Sequence, residues 1–130
     1  MGEHSSVDIH AHYFPDAFLK LVASEGGNFG ATFDESGGAG PVIDVGPLHV
    51  GPVGRRFIDL DARNEDMDGQ GVQVQALSLT QPMAYWSGNG EFARRLTEAY
   101  NDALAEAHQA HPDRLVGFAT LPMQDVPLAV

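Results

Sequence analysis

The chain has 130 residues, 43% of them hydrophobic, and 18 acidic against 7 basic side chains give it a formal charge of −11. That length suits one domain with a single core and the apolar fraction is ordinary, so a globular soluble protein is the default. The charge excludes non-specific nucleic-acid binding, which needs clustered cations: Lys20 is the only lysine, and arginines fall singly or in the pairs Arg55–Arg56 and Arg94–Arg95. There is no cysteine, which removes disulfides and thiolate chemistry and leaves any metal to nitrogen and oxygen ligands.

The first apolar segment, Val7-Asp8-Ile9-His10-Ala11-His12, alternates strictly and reads as a strand. Pro15 suits the first turn of a helix, Ala17, Phe18, Leu21 and Val22 recur at helical spacing, and Gly26-Gly27 stops it. Nine of the 15 glycines lie between Gly26 and Gly54, so this stretch reads as loop. Within it Val42–Val45 and Leu48–Val50 form the arms of a β-hairpin turning at Gly46-Pro47. It breaks the regular pattern and is read as an insertion over about 28–58.

Asp59 to Gln70 has helical composition with Gly71 as C-cap, and Gly71 introduces a second strand, Val72 to Thr80. After Tyr85 and Trp86 a helix is expected from Gly90 to His111, with Phe92, Leu96, Ala99, Ala103 and Ala107 as its apolar stripe and Pro112 as its stop. Leu115 to Leu121 is a third strand, and Asp125 opens another helix. Strand, helix, strand, helix, strand is the order of an α/β fold with a parallel sheet. A complete (β/α)₈ barrel takes roughly 250 residues, so three such units do not close one and residues 1–130 read as an interrupted α/β domain.

His10 and His12 carry the functional argument. Residues two apart on a strand share a face, and two imidazoles converging at a strand end suit a divalent metal such as zinc. His-x-His by itself is a weak signal that two solubilising histidines would also give; its place on the first strand of an α/β pattern is what raises it.

Asp8-Ile9-His10-Ala11-His12-Tyr13-Phe14-Pro15 resembles the opening of the second amidohydrolase family of metal-dependent hydrolases. Asp66-Met67-Asp68, Gly71 to Ser78, Tyr85-Trp86, Asn101 to Glu106 and Pro112 to Asp125 resemble, in order and spacing, its branch containing aminocarboxymuconate-semialdehyde decarboxylase. The resemblance implies a barrel, a divalent metal (zinc first, manganese second) on His10 and His12, and a small unsaturated or aromatic carboxylic acid as substrate. It further implies non-oxidative decarboxylation, with lactone or amide hydrolysis or hydration as the alternative, and a homodimer. The remaining ligands and the proton-handling histidine are expected beyond residue 130, so the chain alone is expected to be inactive. A non-catalytic fragment or binding module is the rival from another class.

Arginine binds carboxylates through two parallel hydrogen bonds, which makes Arg55 and Arg56 substrate-binding candidates, although a solvated pair after a hairpin is the plainer reading. Trp86 is a candidate pocket wall. Asp8 is expected on the His10 face one pleat deeper, Asn101 to tie down a loop, and His108 and His111 to serve the end of their helix. His49, in the hairpin, receives no role. Asn64-x-Asp66-x-Asp68-Gly69 fails as a calcium loop because Gln75 stands where a glutamate is needed, and the glycines around Gly38 follow no strand as a dinucleotide fingerprint would. No secretory signal and no spanning segment are visible, so a cytoplasmic location is expected.

Overall fold

The computed structural model describes residues 6–80, 83 and 90–130. Strands β1 (Val7–His12), β5 (Val74–Ser78) and β6 (Leu115–Gly117) form a parallel sheet in the order β1-β5-β6. Between them run α1 (Asp16–Glu25), α2 (Leu60–Gln70) and α3 (Gly90–Ala110), and α4 (Val126–Ala129) follows β6. A second, antiparallel sheet of β2 (Ala31–Asp34), β3 (Val42–Val45) and β4 (Leu48–Val50) lies between α1 and α2 in sequence. The parallel α/β expectation is met and the hairpin exists, but β2 extends it to three strands. Among the described residues no helix is long and apolar enough to cross a membrane.

Local chemistry explains the boundaries. α1 starts behind Pro15, which stands at the N-cap in extended conformation, φ −66° and ψ 149°, one place before the first-turn position expected of it. At α2 the Asp59 carboxylate accepts the Asp61 and Ala62 amides at 2.9 and 3.1 Å, filling two of the free N–H groups of the first turn. At its other end Gly71 is left-handed, with φ 71°. The Gly71 and Val72 amides reach back to the Asp68 and Met67 carbonyls at 3.2 and 2.9 Å, the two bonds of a Schellman stop. In the second sheet Gly46, φ 57°, takes the first central position of the hairpin turn, which only glycine fills without strain. At Gly40 a Cβ would stand 2.0 Å from the Val53 carbonyl oxygen.

The core lies between the sheet and its helices. Phe18 of α1 meets Tyr100 of α3 edge-on at 5.9 Å between centroids, and Phe29 stacks on Phe92 at 4.2 Å. The inward stripe of α3 is Phe92, Ala93, Leu96, Tyr100, Leu104 and Ala107. The expected Ala99 and Ala103 are half-buried instead, because the larger Tyr100 and Leu104, one position on, turn the helix toward themselves. β6 is shorter than the expected Leu115–Leu121. After Gly117 the Phe118 amide still bonds the Leu77 carbonyl of β5 at 2.8 Å; beyond it Asn101 holds the chain by accepting the Thr120 amide at 2.9 Å and donating to the Thr120 carbonyl at 3.0 Å. Asn101 thus ties down a loop, as its position in the helix suggested.

One irregularity in β1 governs the site. Val7 and Asp8 pair with Val74 and Gln75, whereas Ala11 and His12 pair with Leu77 and Ser78, so β1 carries one extra residue in between. This is a β-bulge, which re-aims the side chains after it. Asp8 and Ala11, three apart, therefore stand opposite Gln75 and Leu77, two residues of one face.

Candidate metal centre

His12 is the last residue of β1 and His10 lies two before it. Their Nε2 atoms approach to 3.2 Å, with the rings edge-on at 78°. Two nitrogens each at ~2.1 Å from a common ion stand about this far apart, so the pair fits a divalent metal without rearrangement. The Nδ1 atom of His12 lies 3.4 Å from the Ser78 carbonyl oxygen and 3.3 Å from its hydroxyl. A proton donated there leaves Nε2 as the free lone pair, the arrangement usual in a metal-ligating histidine. The end of β1 is fastened on both sides, since the Tyr13 amide donates to Ser78 at 3.2 Å and the Phe14 amide to Phe57 at 2.8 Å. Among the described residues no third histidine, aspartate or glutamate joins the pair in a cluster able to hold an ion.

A cavity of about 240 Å³ is lined by His10, His12, Asp8, Arg56, Arg63 and Gln75 among others. A second, of about 190 Å³, adjoins His12 on the side of Phe14, Val50, Val53, Phe57 and Thr80 and is mostly apolar. The two arginines of the early pair separate here. Arg55 is bound to Asp59 at 2.9 Å, whereas Arg56 reaches Asp66 at 3.3 Å, lies over the Phe57 ring and lines the first cavity. Tyr85 and Trp86 lie outside the described residues. The other histidines among the described residues are occupied elsewhere: His49 pairs with Asp44 at 2.5 Å across the hairpin, His108 contacts the Leu115 carbonyl at 2.7 Å, and His111 meets Asn64 at 3.4 Å.

Asp8 corrects an expectation. Simple alternation puts it on the His10 face, but the bulge turns it toward Gln75, whose Nε2 donates to Asp8 Oδ2 at 3.0 Å. Its other oxygen accepts the His10 backbone amide at 3.0 Å, so Asp8 acts on the histidine backbone and not on the ring.

Two residues escaped the reading of the sequence, Arg63 and Gln75. They are the only buried polar or charged side chains among the described residues, at 5% and 8% exposure. The Arg63 guanidinium donates to Gln75 Oε1 at 2.8 Å and to the His12 carbonyl at 2.5 Å, and lies over the Tyr13 ring. Burial pulls its pKa below the ordinary value, with Tyr13, Tyr100, Asp66 and Asp8 opposing; arginine stays charged, so the shift records desolvation. The same burial pushes the Tyr13 and Tyr100 hydroxyls upward. A glutamine flanked by Val74, Ala76 and Leu77 in the central strand was the available signal, since buried polar groups are normally partnered.

The family model described as amidohydrolase matches residues 7–130. The chain belongs to the amidohydrolase family. It is 35% identical over 134 aligned positions to the 2-amino-3-carboxymuconate-6-semialdehyde decarboxylase of Caenorhabditis elegans, an alignment covering 95% of this chain and 31% of that relative. It is 37% identical over 71 positions to the gamma-resorcylate decarboxylase of Rhizobium radiobacter, covering 54% and 22%. Among solved structures it resembles the dihydroxybenzoic acid decarboxylase of Polaromonas sp. JS666 with bound manganese and the inhibitor 2-nitroresorcinol. There the TM-score is 0.63 at 25% identity, with 97% of this chain and 32% of that one covered. This amidohydrolase chain therefore spans about a third or less of the length of these relatives.

Proposed function

We propose that the full-length protein is a divalent-metal-dependent decarboxylase of a small aromatic or unsaturated carboxylic acid, with His10 and His12 as two of its metal ligands. The observation that carries this reading is the 3.2 Å approach of the two Nε2 atoms at the carboxyl end of β1, where catalytic groups of barrel enzymes gather. The decarboxylase names of the three relatives described above and the manganese in the Polaromonas structure support it. We take residues 1–130 as three βα units of a (β/α)₈ barrel, with residues 28–58 inserted after α1.

A divalent ion supplies Lewis-acid polarisation of carboxylate or carbonyl oxygens and an acidified water. The chain's own residues do the rest. Arg56, exposed, paired with Asp66 at 3.3 Å and lying over the Phe57 ring, offers a cation to a substrate carboxylate beside the histidines. Phe14, Val53 and Phe57 form an apolar wall next to His12 that excludes water from a ring or conjugated chain. Two imidazoles fall short of the three protein ligands common in catalytic sites, so residues 1–130 alone are expected to show no turnover.

The test is carbon dioxide release from gamma-resorcylate and from 2-amino-3-carboxymuconate-6-semialdehyde by the full-length protein with manganese or zinc. The expected result is turnover that His10→Ala or His12→Ala abolishes together with stoichiometric metal. Lactone hydrolysis without carbon dioxide release would replace the reaction with hydrolysis. A full-length protein with neither metal nor turnover would make this a binding module.

A further inference from the structure

We propose that Arg63 is a positioning residue for the His10–His12 pair, acting from α2 through Gln75 and Asp8 on both backbone ends of the motif; this rests on the metal-binding reading above. The path is continuous. One arm of the guanidinium donates to the His12 carbonyl at 2.5 Å and the other to Gln75 Oε1 at 2.8 Å. Accepting from Arg63 fixes which way the Gln75 amide points, because its oxygen is committed and its nitrogen must face the other way. That nitrogen donates to Asp8 Oδ2 at 3.0 Å, and Asp8 Oδ1 accepts the His10 amide at 3.0 Å. The three-residue span His10–His12 is thus gripped at its first N–H and its last C=O by a chain of contacts starting from one side chain.

The features of Arg63 fit this task better than a plain tie between helix and sheet. It is a cation at 5% exposure whose hydrogen bonds go to an amide and a carbonyl; among the described residues no carboxylate binds it directly and its Nε has no partner. Burying a charge on such terms is unfavourable, and α2 would pack as well with an apolar residue there, as Met67 does one turn later at 1% exposure. The planar fork is what the geometry uses, since two acceptors on different strands are met by one rigid group. The bulge of β1 supplies the other half. It brings Asp8 opposite Gln75 while leaving its second oxygen beside the His10 amide.

Groups that orient metal ligands typically change metal affinity by about 10–100-fold when altered. The experiment titrates Mn²⁺ into the full-length protein and into Arg63→Lys and Gln75→Glu, reading the dissociation constant and the electron paramagnetic resonance spectrum at saturation, with thermal unfolding alongside. Arg63→Lys keeps the charge and loses the fork. Gln75→Glu keeps a partner for the guanidinium, which protects the fold, but cannot donate to Asp8. Both variants are expected to bind Mn²⁺ about 10–100-fold more weakly, with an altered spectrum at saturation. A folded Gln75→Glu protein with parental affinity and spectrum overturns the positioning role even if Arg63→Lys fails to fold. A parent that binds no Mn²⁺ overturns the function proposed above and this inference with it; a parent that binds, with variants that bind equally, overturns only the inference.

Discussion

The two sheets are built on opposite principles. The parallel sheet draws its order from side chains: helices cover it, Phe18, Tyr100 and Leu115 are fully buried against it, and a buried guanidinium is hydrogen-bonded to a glutamine of its central strand. The antiparallel sheet draws its order from the main chain. Its turns depend on positive-φ glycines at positions 30, 38, 40, 46 and 51, the Val53 amide bonds the Pro41 carbonyl at 2.8 Å, and Ile43 is the one residue of its strands with no exposure at all. The candidate ligands lie on the sheet fixed by packing, and the sheet fixed by turns reaches the cavity beside His12 through Val50. A site that must keep two nitrogens in place gains from the stiffer of the two supports.

The comparison breaks most sharply at Phe18. Phe18→Ala opens a void between α1 and Tyr100 and is expected to lower the stability of the full-length protein by about 3–5 kcal/mol, read by urea unfolding; a loss under about 1 kcal/mol would show that this layer is not packing-controlled. Gly40→Ala strains a φ of 115° and drives a methyl into the Val53 carbonyl. We expect a loss of about 1–3 kcal/mol confined to the second sheet, seen as faster amide exchange in β2–β4 with β1 and β5 unchanged. Equal acceleration in both sheets would mean that they open as one unit.

Tyr100→Phe sharpens the packing side. Among the described residues the buried Tyr100 hydroxyl has no hydrogen-bond partner, so its removal is expected to be neutral or to stabilise by up to about 1 kcal/mol; a clear destabilisation would reveal a partner for it. The smallest effect is expected at α2. Bonds from the Ala62 amide, the Arg55 side chain and the Asp61 amide hold the Asp59 pKa below its ordinary 3.8. The unfolded chain therefore takes up that proton first as pH falls, so the cap's contribution is complete above the ordinary value and fades as pH drops through the lowered folded value. Asp61 and Ala62 amide exchange should accelerate in that window, and Asp59→Ala should show the faster exchange at every pH.

Much of this was legible in the residues. The alternation of Val7–His12 is β1 itself, and Asp59 and Gly71 bound α2 as expected. β2 was missed because Ala31-Thr32-Phe33-Asp34 is too short to show a period; it is a strand only because Val42–Val45 pairs with it. The face of Asp8 was misjudged for a related reason. A bulge is a property of two strands in register, and one strand read alone cannot display it. The histidine pair was readable since it depends on a spacing of two beyond the bulge, whereas Arg63 and Gln75 meet across twelve residues of chain and acquire meaning only when α2 docks on the sheet.

The extra residue in β1 also makes the motif sensitive to chain length as well as to residue type. Deleting Ile9 would let Asp8 keep Gln75, place His10 opposite Ala76 and leave Ala11 and His12 opposite Leu77 and Ser78. Both imidazoles would then still share a side, at the expense of the Asp8 contact to the His10 amide. Deleting Ala11 instead would put His10 opposite Leu77 with His12 still opposite Ser78, sending neighbouring rings to opposite faces. Two deletions of one residue each, two positions apart, thus have opposite consequences, one trimming a loop in the strand and the other dividing the site in two.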